Sequence, residues 1–398
     1  MILARGTSGR KAPMTTGSEV VDQREDVLLV SSDGPKVHNQ KMSSYSVLPG
    51  LLFAALFLVL LSFTCLSSTT VTKNQHPGAL LVPARKRTAL EAANLHPENI
   101  KGKLFVITGA YGGIGTETTK AILGAGGRVV IGGRSSDKVQ EFVHSLSLEF
   151  NTQDRVDGYV LDLADLESVQ MFATNVLETY KDDSIQGLIN NAGVVAPVAA
   201  TKQGLELQMG VNVVGHFLLA KLLLPKTRRQ VWLTSTAHLW DDAPRLDVDY
   251  YRNWSLEKDA EGFDYWAAYQ QSKLADILIA KEFSRRYPQL ETASCHPGMI
   301  YTDMGKHVYD ETMFDIVLDF IKEYPFVVAT EGFWRPVKSP QEGASTTITA
   351  VSLPSNELIS GGYYKDCAVG KASQSASNMD DAKALFDWCD EVTSLYQS

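Results

Sequence analysis

The stretch KLFVITGAYGGIG, residues 103 to 115, joins an apolar, β-branched run to a glycine-rich turn. KLFVIT predicts a buried strand, GAYGGIG a tight turn, and the residues that follow a helix reaching about Leu123. Gly109, Gly113 and Gly115 form a GxxxGxG pattern. Glycines at such a turn let the backbone approach a pyrophosphate at the helix N-terminus, where unpaired N–H groups attract anions. The stretch therefore predicts the first unit of a nucleotide-binding fold.

The second predicted strand bears on the choice of nucleotide. From Lys101 onward, short β-branched runs alternate with helical patterns, which is typical of βαβ units and of a parallel sheet with helices on both faces. RVVIGG, residues 128 to 133, predicts a strand that ends at Arg134. An acidic residue there would bind the ribose hydroxyls of NAD, whereas an arginine can pair with the 2′-phosphate of NADP. Arg134 thus indicates NADP, with a solvated loop arginine as the alternative.

The third and fourth predicted strands lead to further candidate residues. The third covers about residues 156 to 161 and leads to Asp162 and Leu163. IQGLIN predicts the fourth, which runs into NNAG at residues 190 to 193. Small side chains at that point would let the backbone pass close to a flat cofactor.

Two further polar residues lie in apolar surroundings. VNVVGHF places Asn212 within a long apolar helix, and QVWLTS, residues 230 to 235, predicts a strand that ends at Ser235. Each has an ordinary explanation, because a helical Asn can bond backbone and a Ser is common in turns.

AAYQQSK, residues 267 to 273, sets a tyrosine and a lysine one helical turn apart. Tyr269 and Lys273 share a face of the predicted helix, whose apolar stripe ends before Pro288. A free phenol titrates near pH ~10, so it exchanges protons at neutral pH only if a nearby positive charge favours the phenolate. Lys273 could supply that charge, with a solvated lysine beside a half-buried tyrosine as the alternative.

Composition excludes several classes of protein. The 398 residues are 44% hydrophobic, which suits a globular core, and the net charge of −9 gives no field for nucleic acid. We expect no nucleic-acid partner. The cysteines are scattered without a CxxC pair, so we predict neither a metal site nor a disulfide framework.

The N-terminal region differs from the rest of the chain. Residues 1–46 are polar and without period, which predicts disorder, and residues 67–97 read as a linker. Between them lies VLPGLLFAALFLVLLSFTCL, residues 47–66, which has no charge and the length of a bilayer-spanning helix. A buried helix is one alternative. A chain begun at Met42 would instead resemble a cleaved secretory signal, so the choice between anchor and signal stays open.

Charges beside the apolar segment bear on its orientation. Two basic residues lie shortly before it and four after it. The positive-inside tendency then favours a cytosolic catalytic part. Asn253-Trp254-Ser255 is a glycosylation acceptor sequence, which would be used only if that part faced a secretory lumen.

Taken together, the motifs resemble a known family. TGAYGGIG, NNAG, Asn212, Ser235, YQQSK and HPG occur in the order and approximate spacing of short-chain dehydrogenases/reductases. VNVVGHFLLAKLLLP, TSTAH, KSPQEGA and SGGYYKDC are similar to the retinol dehydrogenase and WW-domain oxidoreductase branch, although no WW-like module precedes them. The resemblance covers about residues 98–395 and implies an α/β fold: a single Rossmann-type doubly wound parallel sheet. It implies about seven strands in the order 3-2-1-4-5-6-7, with helices on both faces.

The resemblance implies roles for four side chains. Tyr269 would exchange a proton with the substrate oxygen, and Ser235 would hold that oxygen by a hydrogen bond. Lys273 would lower the pKa of the tyrosine and bind the nicotinamide ribose. Asn212 would position a water that links Lys273 to solvent.

The resemblance also implies NADP(H) as cofactor and a set of contacts. The pyrophosphate, 2′-phosphate, adenine and nicotinamide would lie against Gly109, Gly113, Ile114, Gly115, Arg134, Asp162, Leu163, Asn191, Ala192, Gly193, Tyr269, Lys273, Pro297, Gly298 and Thr302. Two departures stand out. The branch usually has Asn-Thr where Tyr111 and Gly112 stand, and residues 250–262 form an apparent insertion.

The substrate is expected to be lipophilic. Residues 301–326 predict an apolar helix, which in this family covers the substrate pocket, and a plain packing helix is the alternative. With the apolar segment, this predicts an oxidoreductase for a retinoid, sterol or long-chain aldehyde at a membrane, with the endoplasmic reticulum as the expected location. If the cofactor is NADP(H) and the domain is cytosolic, the usual excess of the reduced form would favour carbonyl reduction. A homodimer, a pigment-precursor reductase and a catalytically idle scaffold that recruits partners stay open.

Overall fold

The structure is a computed structural model that describes residues 87–242, 245–298, 300 and 338–397. The predictions for residues 1–46 and 47–66, for most of the linker, for residues 301–326 and for Thr302 lie outside these ranges. Among the described residues, no helix combines the length and the apolar character needed to cross a membrane.

The sheet has eight strands in the order β3-β2-β1-β4-β5-β6-β7-β8. Strands β1 to β7 are parallel, and β8 is antiparallel to β7. The strands are β1 Leu104–Thr108, β2 Arg128–Gly133, β3 Val156–Val160, β4 Ile185–Asn190, β5 Arg229–Leu233, β6 Glu291–His296, β7 Gly362–Lys365 and β8 Ala368–Val369.

Helices follow most of the strands. In the described residues they are α1 Ala89–Ala93, α2 Gly113–Gly124, α3 Ser136–Glu149, α4 Leu166–Thr179, α5 Leu207–Met209, α6 His216–Leu222, α7 Val248–Asn253, α8 Leu256–Asp259, α9 Tyr265–Arg286, α10 Pro340–Ser352 and α11 Met379–Thr393. A π-helical segment, Gly210–Gly215, joins α5 to α6.

The predicted doubly wound sheet is confirmed, and one short strand was missed. β8 has two residues and pairs with β7 across a tight turn in which Asp366 and Cys367 have φ of 51° and 61°. Positive φ at both central residues is typical of the turns that match the twist of a two-stranded ribbon. A two-residue strand is too short to show alternation, so the sequence pattern could not reveal it.

Alternation along the central strands builds two cores. Leu104 and Val106 of β1 belong to one cluster, which includes side chains of α4, α6, α9 and α11. Phe105 and Ile107 belong to the other, which includes side chains of α1, α2, α3 and α10. Because successive residues of a strand point to opposite faces, the sheet is covered on both sides.

A buried arginine ties the end of α10 to the sheet. The side chain of Arg229, at the start of β5, is 1% exposed and pairs with Glu291 of β6 at 2.6 Å. Its Nη1 also donates to the carbonyl oxygens of Ala350, Val351 and Leu353. These carbonyls at the C-terminal end of the helix would otherwise be buried without partners.

We expect Arg229→Met to lower the free energy of unfolding by about 3 kcal/mol, because it leaves the Glu291 carboxylate and helix carbonyls without their donor. Arg228→Met is the matched control, since the neighbouring arginine side chain is 52% exposed. The control should cost less than about 0.5 kcal/mol. Urea titrations measure both, and equal losses would contradict the prediction.

Candidate active site

The carboxyl ends of the parallel strands form one edge of the sheet, and the predicted site residues gather there. The strand order reverses between β1 and β4, which leaves a crevice outside their carboxyl ends. At least one predicted site residue follows each of strands β1 to β6 within two positions: Gly109, Arg134, Asp162, Asn191 with Ala192, Ser235, and Pro297 with Gly298.

The glycine turn after β1 packs too tightly for side chains. Gly109 has φ +63°, and a Cβ there would lie 2.9 Å from the Cβ of Ala192. A Cβ on Gly115 would lie 2.4 Å from the oxygen of Gly109 and 2.7 Å from Nδ2 of Asn191. Asn191 Nδ2 donates to the Gly109 oxygen at 3.2 Å, so the turn after β4 supports the turn after β1. This close packing leaves the backbone itself as the floor of the crevice.

The first turn of α2 suits an anion. The helix begins at Gly113. Gly112, the residue before it, provides no side-chain cap, and the first turn contains no acidic residue. Its leading N–H groups are therefore not capped by its own side chains, and the helix dipole favours negative charge there. Ile114 is partly buried against the apolar cluster on the α2 side of the sheet.

Arg134 and Tyr111 lie at the end of β2. Arg134 is exposed and makes no ion pair with any residue in the part of the chain that the structure describes. A Cβ on Gly133 would lie 2.2 Å from Cε1 of Tyr111, so the phenol ring covers the last residue of the strand. The tyrosine that departs from the family pattern is thus accommodated by a glycine beside Arg134.

The residues after β3 are held by short contacts. Asp162 Oδ1 accepts the N–H of Ala164 at 2.9 Å. Leu163 is buried, and a Cβ on Gly215 would lie 2.5 Å from its carbonyl oxygen. The π-helical segment therefore packs directly against this turn.

Asn212 lies in the π-helical segment rather than in a regular helix. Its Oδ1 accepts the N–H of Val194 at 2.8 Å, and its Nδ2 donates to the Val194 oxygen and to Ser272 Oγ. The side chain therefore joins the loop after β4 to helix α9. Such single π turns often occur at functional sites. The water-positioning role predicted for Asn212 stays a prediction.

A buried histidine completes this connection. Thr108 Oγ1 accepts the N–H groups of Asn191 and Ala192 and lies 2.8 Å from His216 Nε2. Its own proton then goes to Nε2, so His216 carries its proton on Nδ1, which donates to the Asn212 oxygen at 2.9 Å. Burial lowers the pKa of His216 to about 3, which agrees with a neutral ring.

Tyr269 and Lys273 come together as predicted. Both lie in α9 and are buried, and Lys273 Nζ is 5.8 Å from the centre of the Tyr269 ring. The ring packs with Val195 and Ala237. Ala237 N–H donates to Ser235 Oγ at 3.2 Å, so the turn that holds Ser235 lies against the tyrosine.

The Lys273 ammonium is held by two hydrogen-bond acceptors. Nζ donates to the Leu233 oxygen at 2.9 Å and to Asp276 Oδ2 at 2.8 Å. Burial lowers the lysine pKa, but attraction to Asp276 and Tyr269 outweighs this and the pKa is raised. Burial raises the pKa of Asp276 to about 6, so both groups are ionised at pH 7. A Cβ on Gly193 would lie 3.5 Å from Nζ, which places NNAG beside the ammonium.

The turn after β6 is described only in part. Pro297 and Gly298 follow the strand, and Gly298 has φ +96°, which favours glycine. Lys338 lies beside it and pairs with Asp366 at 2.8 Å.

The apparent insertion contains ordered helices. Residues 250–262 include most of α7 and all of α8, with Tyr251 and Trp254 buried. It is thus anchored to the domain by two aromatic side chains.

The sequence analysis missed Asp276 and His216. Asp276 follows Tyr269 by seven positions, which is two helical turns, so the spacing YxxxKxxD could have placed it on the same face. His216 stands within the GHF motif, but only the fold brings it to Thr108.

Comparison with known proteins decides the family. Residues 103–232 match the sequence profile described as short chain dehydrogenase. The chain is 30% identical over 331 residues to retinol dehydrogenase 14 from Mus musculus, across 78% of this chain and 92% of that protein. The chain belongs to the short-chain dehydrogenase/reductase family.

Other short-chain dehydrogenases/reductases support the same placement. Human retinol dehydrogenase 13 is 32% identical over 297 residues, which cover 72% of this chain and 83% of that protein. A solved structure of an uncharacterized protein from Mycobacterium paratuberculosis superposes with a TM-score of 0.55 at 27% identity, covering 75% of this chain and 97% of the other. This member of the family is therefore an enzyme similar to retinol dehydrogenases.

Buried neutral histidines should make the enzyme sensitive to mild acid. Burial lowers the pKa of His216 and of His296 to about 3 and that of His238 to about 4. In the unfolded chain these histidines bind protons near pH ~6.5, whereas in the native protein they stay neutral. Their contribution to the free energy of unfolding is therefore complete above that pH and is lost as the pH falls towards the native pKa values. Urea titrations between pH 7 and 5 measure how the free energy of unfolding changes with pH. For His216→Gln this slope should be flatter, by about 1 kcal/mol per pH unit averaged over the interval.

Exposed His144 provides the control for this measurement. His144→Asn should keep the slope of the original protein. If His216→Gln also kept it, the ring would be accessible to protons in the native state.

Proposed function

We propose that this enzyme is an NADP(H)-dependent oxidoreductase that interconverts a lipophilic alcohol and its aldehyde or ketone. The observation that carries the proposal is the buried Lys273 ammonium, 5.8 Å from the centre of the Tyr269 ring and beside Gly193 in the turn after β4. A phenol beside a fixed positive charge can exchange a proton near neutral pH.

The residues of the crevice fit a dinucleotide. A Cβ at Gly109 or Gly115 would fill space against Ala192 or Asn191, and the uncapped start of α2 favours a pyrophosphate. When bound, NADP(H) supplies the hydride chemistry. The chain supplies orientation through these turns and one ribose partner in Lys273.

The polar groups near Tyr269 are proposed to handle the substrate oxygen. Charge builds on that oxygen as hydride moves to or from its carbon. The Tyr269 hydroxyl would exchange the proton, and Ser235 would hydrogen-bond the same oxygen. Donors aimed at this developing charge stabilise the transition state more than the ground state. Asn212 is proposed to act behind them, through Val194 and Ser272.

Arg134 supports NADP(H) over NAD(H). Arg134 is exposed and directly follows β2, whose last residue, Gly133, is covered by the ring of Tyr111. A planar guanidinium binds a phosphate with paired hydrogen bonds.

Apolar neighbours of Tyr269 support a lipophilic substrate. Trp266 meets the Tyr269 ring edge-on at 6.1 Å, and Val195, Ala237 and Tyr265 pack in the same cluster. The similar mouse and human proteins are retinol dehydrogenases, and retinol is an apolar alcohol. A retinoid, a sterol or a long-chain aldehyde is the substrate class that we infer.

Membrane attachment belongs to the same proposal. We infer that residues 47–66 anchor the enzyme, at the endoplasmic reticulum with the catalytic part in the cytosol, where reduced NADP(H) would favour carbonyl reduction. A homodimer is compatible with this arrangement. The uncharged segment and its basic flanks support the anchor.

We expect Tyr269→Phe to lower turnover by about 10²- to 10⁴-fold with NADPH and a panel of retinoids, steroids and long-chain aldehydes, because it removes the proton donor. NADPH binding should change little, since the ring remains. Tyr396→Phe, a tyrosine near the C-terminus whose hydroxyl contacts Gln203, is the control and should retain turnover. Equal turnover by Tyr269→Phe would refute the assignment, and NADPH binding without any turnover by the original protein would favour an idle scaffold.

We expect Arg134→Ala to weaken NADPH binding by about 10- to 100-fold, since one charge-assisted hydrogen-bonded contact contributes about 1.5–3 kcal/mol. NADH lacks the 2′-phosphate, so its affinity should stay unchanged and serves as the internal control. Titrating the tryptophan fluorescence with each nucleotide measures both constants. An unchanged preference would mean that Arg134 does not recognise the phosphate.

A further inference from the structure

Asp276 is a buried carboxylate for which the proposed roles of Tyr269, Ser235, Lys273 and Asn212 leave no function. Its side chain is 2% exposed and lies 2.8 Å from the ammonium of Lys273, whose side chain is 5% exposed. Tyr269, Lys273 and Asp276 occupy positions i, i+4 and i+7 of α9, which lie on one face of the helix. A phenol, an ammonium and a carboxylate therefore follow one another along that face.

The pair fixes the lysine before any ligand binds. An ammonium has three N–H groups, and Lys273 directs two of them to Asp276 and to the Leu233 oxygen. Thr234 Oγ1 also donates to the Lys273 carbonyl oxygen at 2.6 Å, which holds the helix against the end of β5. At most one N–H remains for a ribose hydroxyl or for the tyrosine.

No other anion near Lys273 could take over this task within the described residues. The groups that face it are the Cys295 thiol on β6, the His216 ring at the start of α6 and the Tyr269 phenol. Burial raises the pKa of Cys295 to about 12 and lowers that of His216 to about 3, so both are neutral at pH 7. Asp276 is the carboxylate whose charge balances the lysine.

Stability alone does not account for the pair. A buried ion pair is often no more stable than apolar side chains of similar volume, because removing two charges from water costs about as much as their attraction returns. A lysine that must stay charged, however, needs a counter-charge, since an isolated buried ammonium loses its proton. Asp276 would thus resemble the third residue of a catalytic triad, which orients the neighbouring catalytic group and stabilises its charged form.

We propose that Asp276 is a positioning residue of this site, whose carboxylate keeps Lys273 charged and in place beside Tyr269. The inference rests on the proposed function. It adds a fifth residue, which acts through Lys273 and does not itself touch substrate. It also predicts that an isosteric neutral residue at position 276 leaves Lys273 an easily deprotonated amine.

Asp276→Asn tests this without turnover, in the full-length protein. A lysine with a lowered pKa in the native state binds fewer protons than the unfolded chain below pH ~10.4, so the free energy of unfolding should rise with pH. We expect the difference in free energy of unfolding between Asp276→Asn and the original protein to become smaller as the pH rises from 7.5 to 9.5. Adding Lys273→Met should abolish that pH dependence, whereas a merely structural loss would be constant with pH.

The pH profile of alcohol oxidation provides the second readout. In Asp276→Asn, the amine loses its charge at lower pH and no longer supports the phenolate. We expect kcat/KM to decline on the alkaline side at a pH lower by at least one unit, with rescue by Asp276→Glu. A profile of unchanged shape, together with a pH-independent stability loss, would overturn the proposal.

Two outcomes separate this inference from the proposed function. If the original protein turns over no carbonyl or alcohol, the proposed function fails, while the unfolding measurement still tests Asp276. If Asp276→Asn does not fold, the Lys273→Met, Asp276→Asn double variant decides. Recovery of folding would support the pairing, and continued failure would mean that the carboxylate is only structural and would overturn the proposal.

Discussion

Burial of a positive charge is the constraint on which the rest of the site depends. Lys273 lies between α9 and the end of β5, where its side chain is only 5% exposed. Such a group stays charged only if the protein provides hydrogen-bond acceptors and a counter-charge. The Leu233 carbonyl and Asp276 provide both. The helix register and the strand end are therefore fixed by the same group that would support the Tyr269 phenol.

The reversal of strand order explains why distant segments meet at this charge. β1 and β4 are neighbours with their connections leaving in opposite directions, so their carboxyl ends open a crevice. Thr108 at the end of β1 holds the turn after β4 through Asn191 and Ala192. Asn212 then joins that turn to α9 through Ser272. A short chain of hydrogen bonds thus transmits the position of the glycine turn to the helix that bears Tyr269.

Local pattern accounts for what the sequence could predict. Strand β1, the glycine turn and the Tyr269–Lys273 spacing depend on residues within one or two turns of each other, so periodicity and residue type suffice. The π-helical segment is different, because VNVVGHF looks like a regular apolar helix and only the contacts of Asn212 and Gly215 mark the extra turn. Ser235 was expected to end β5, yet the strand ends at Leu233. The Thr108–His216 contact spans 108 positions, and no local rule could reveal it.

The electrostatic effect of Lys273 depends on having uncharged neighbours. The titratable neighbours His216 and Cys295 are kept uncharged by burial, so Lys273 and Asp276 are the ionised groups among them at pH 7. Coulomb interactions strengthen as the local dielectric falls, and an apolar wall of Val195 and Ala237 lowers it beside the Tyr269 ring. A charged histidine at position 216 would repel the Lys273 ammonium. Excluding protons from the histidine and retaining one on the lysine are therefore two parts of the same electrostatic arrangement.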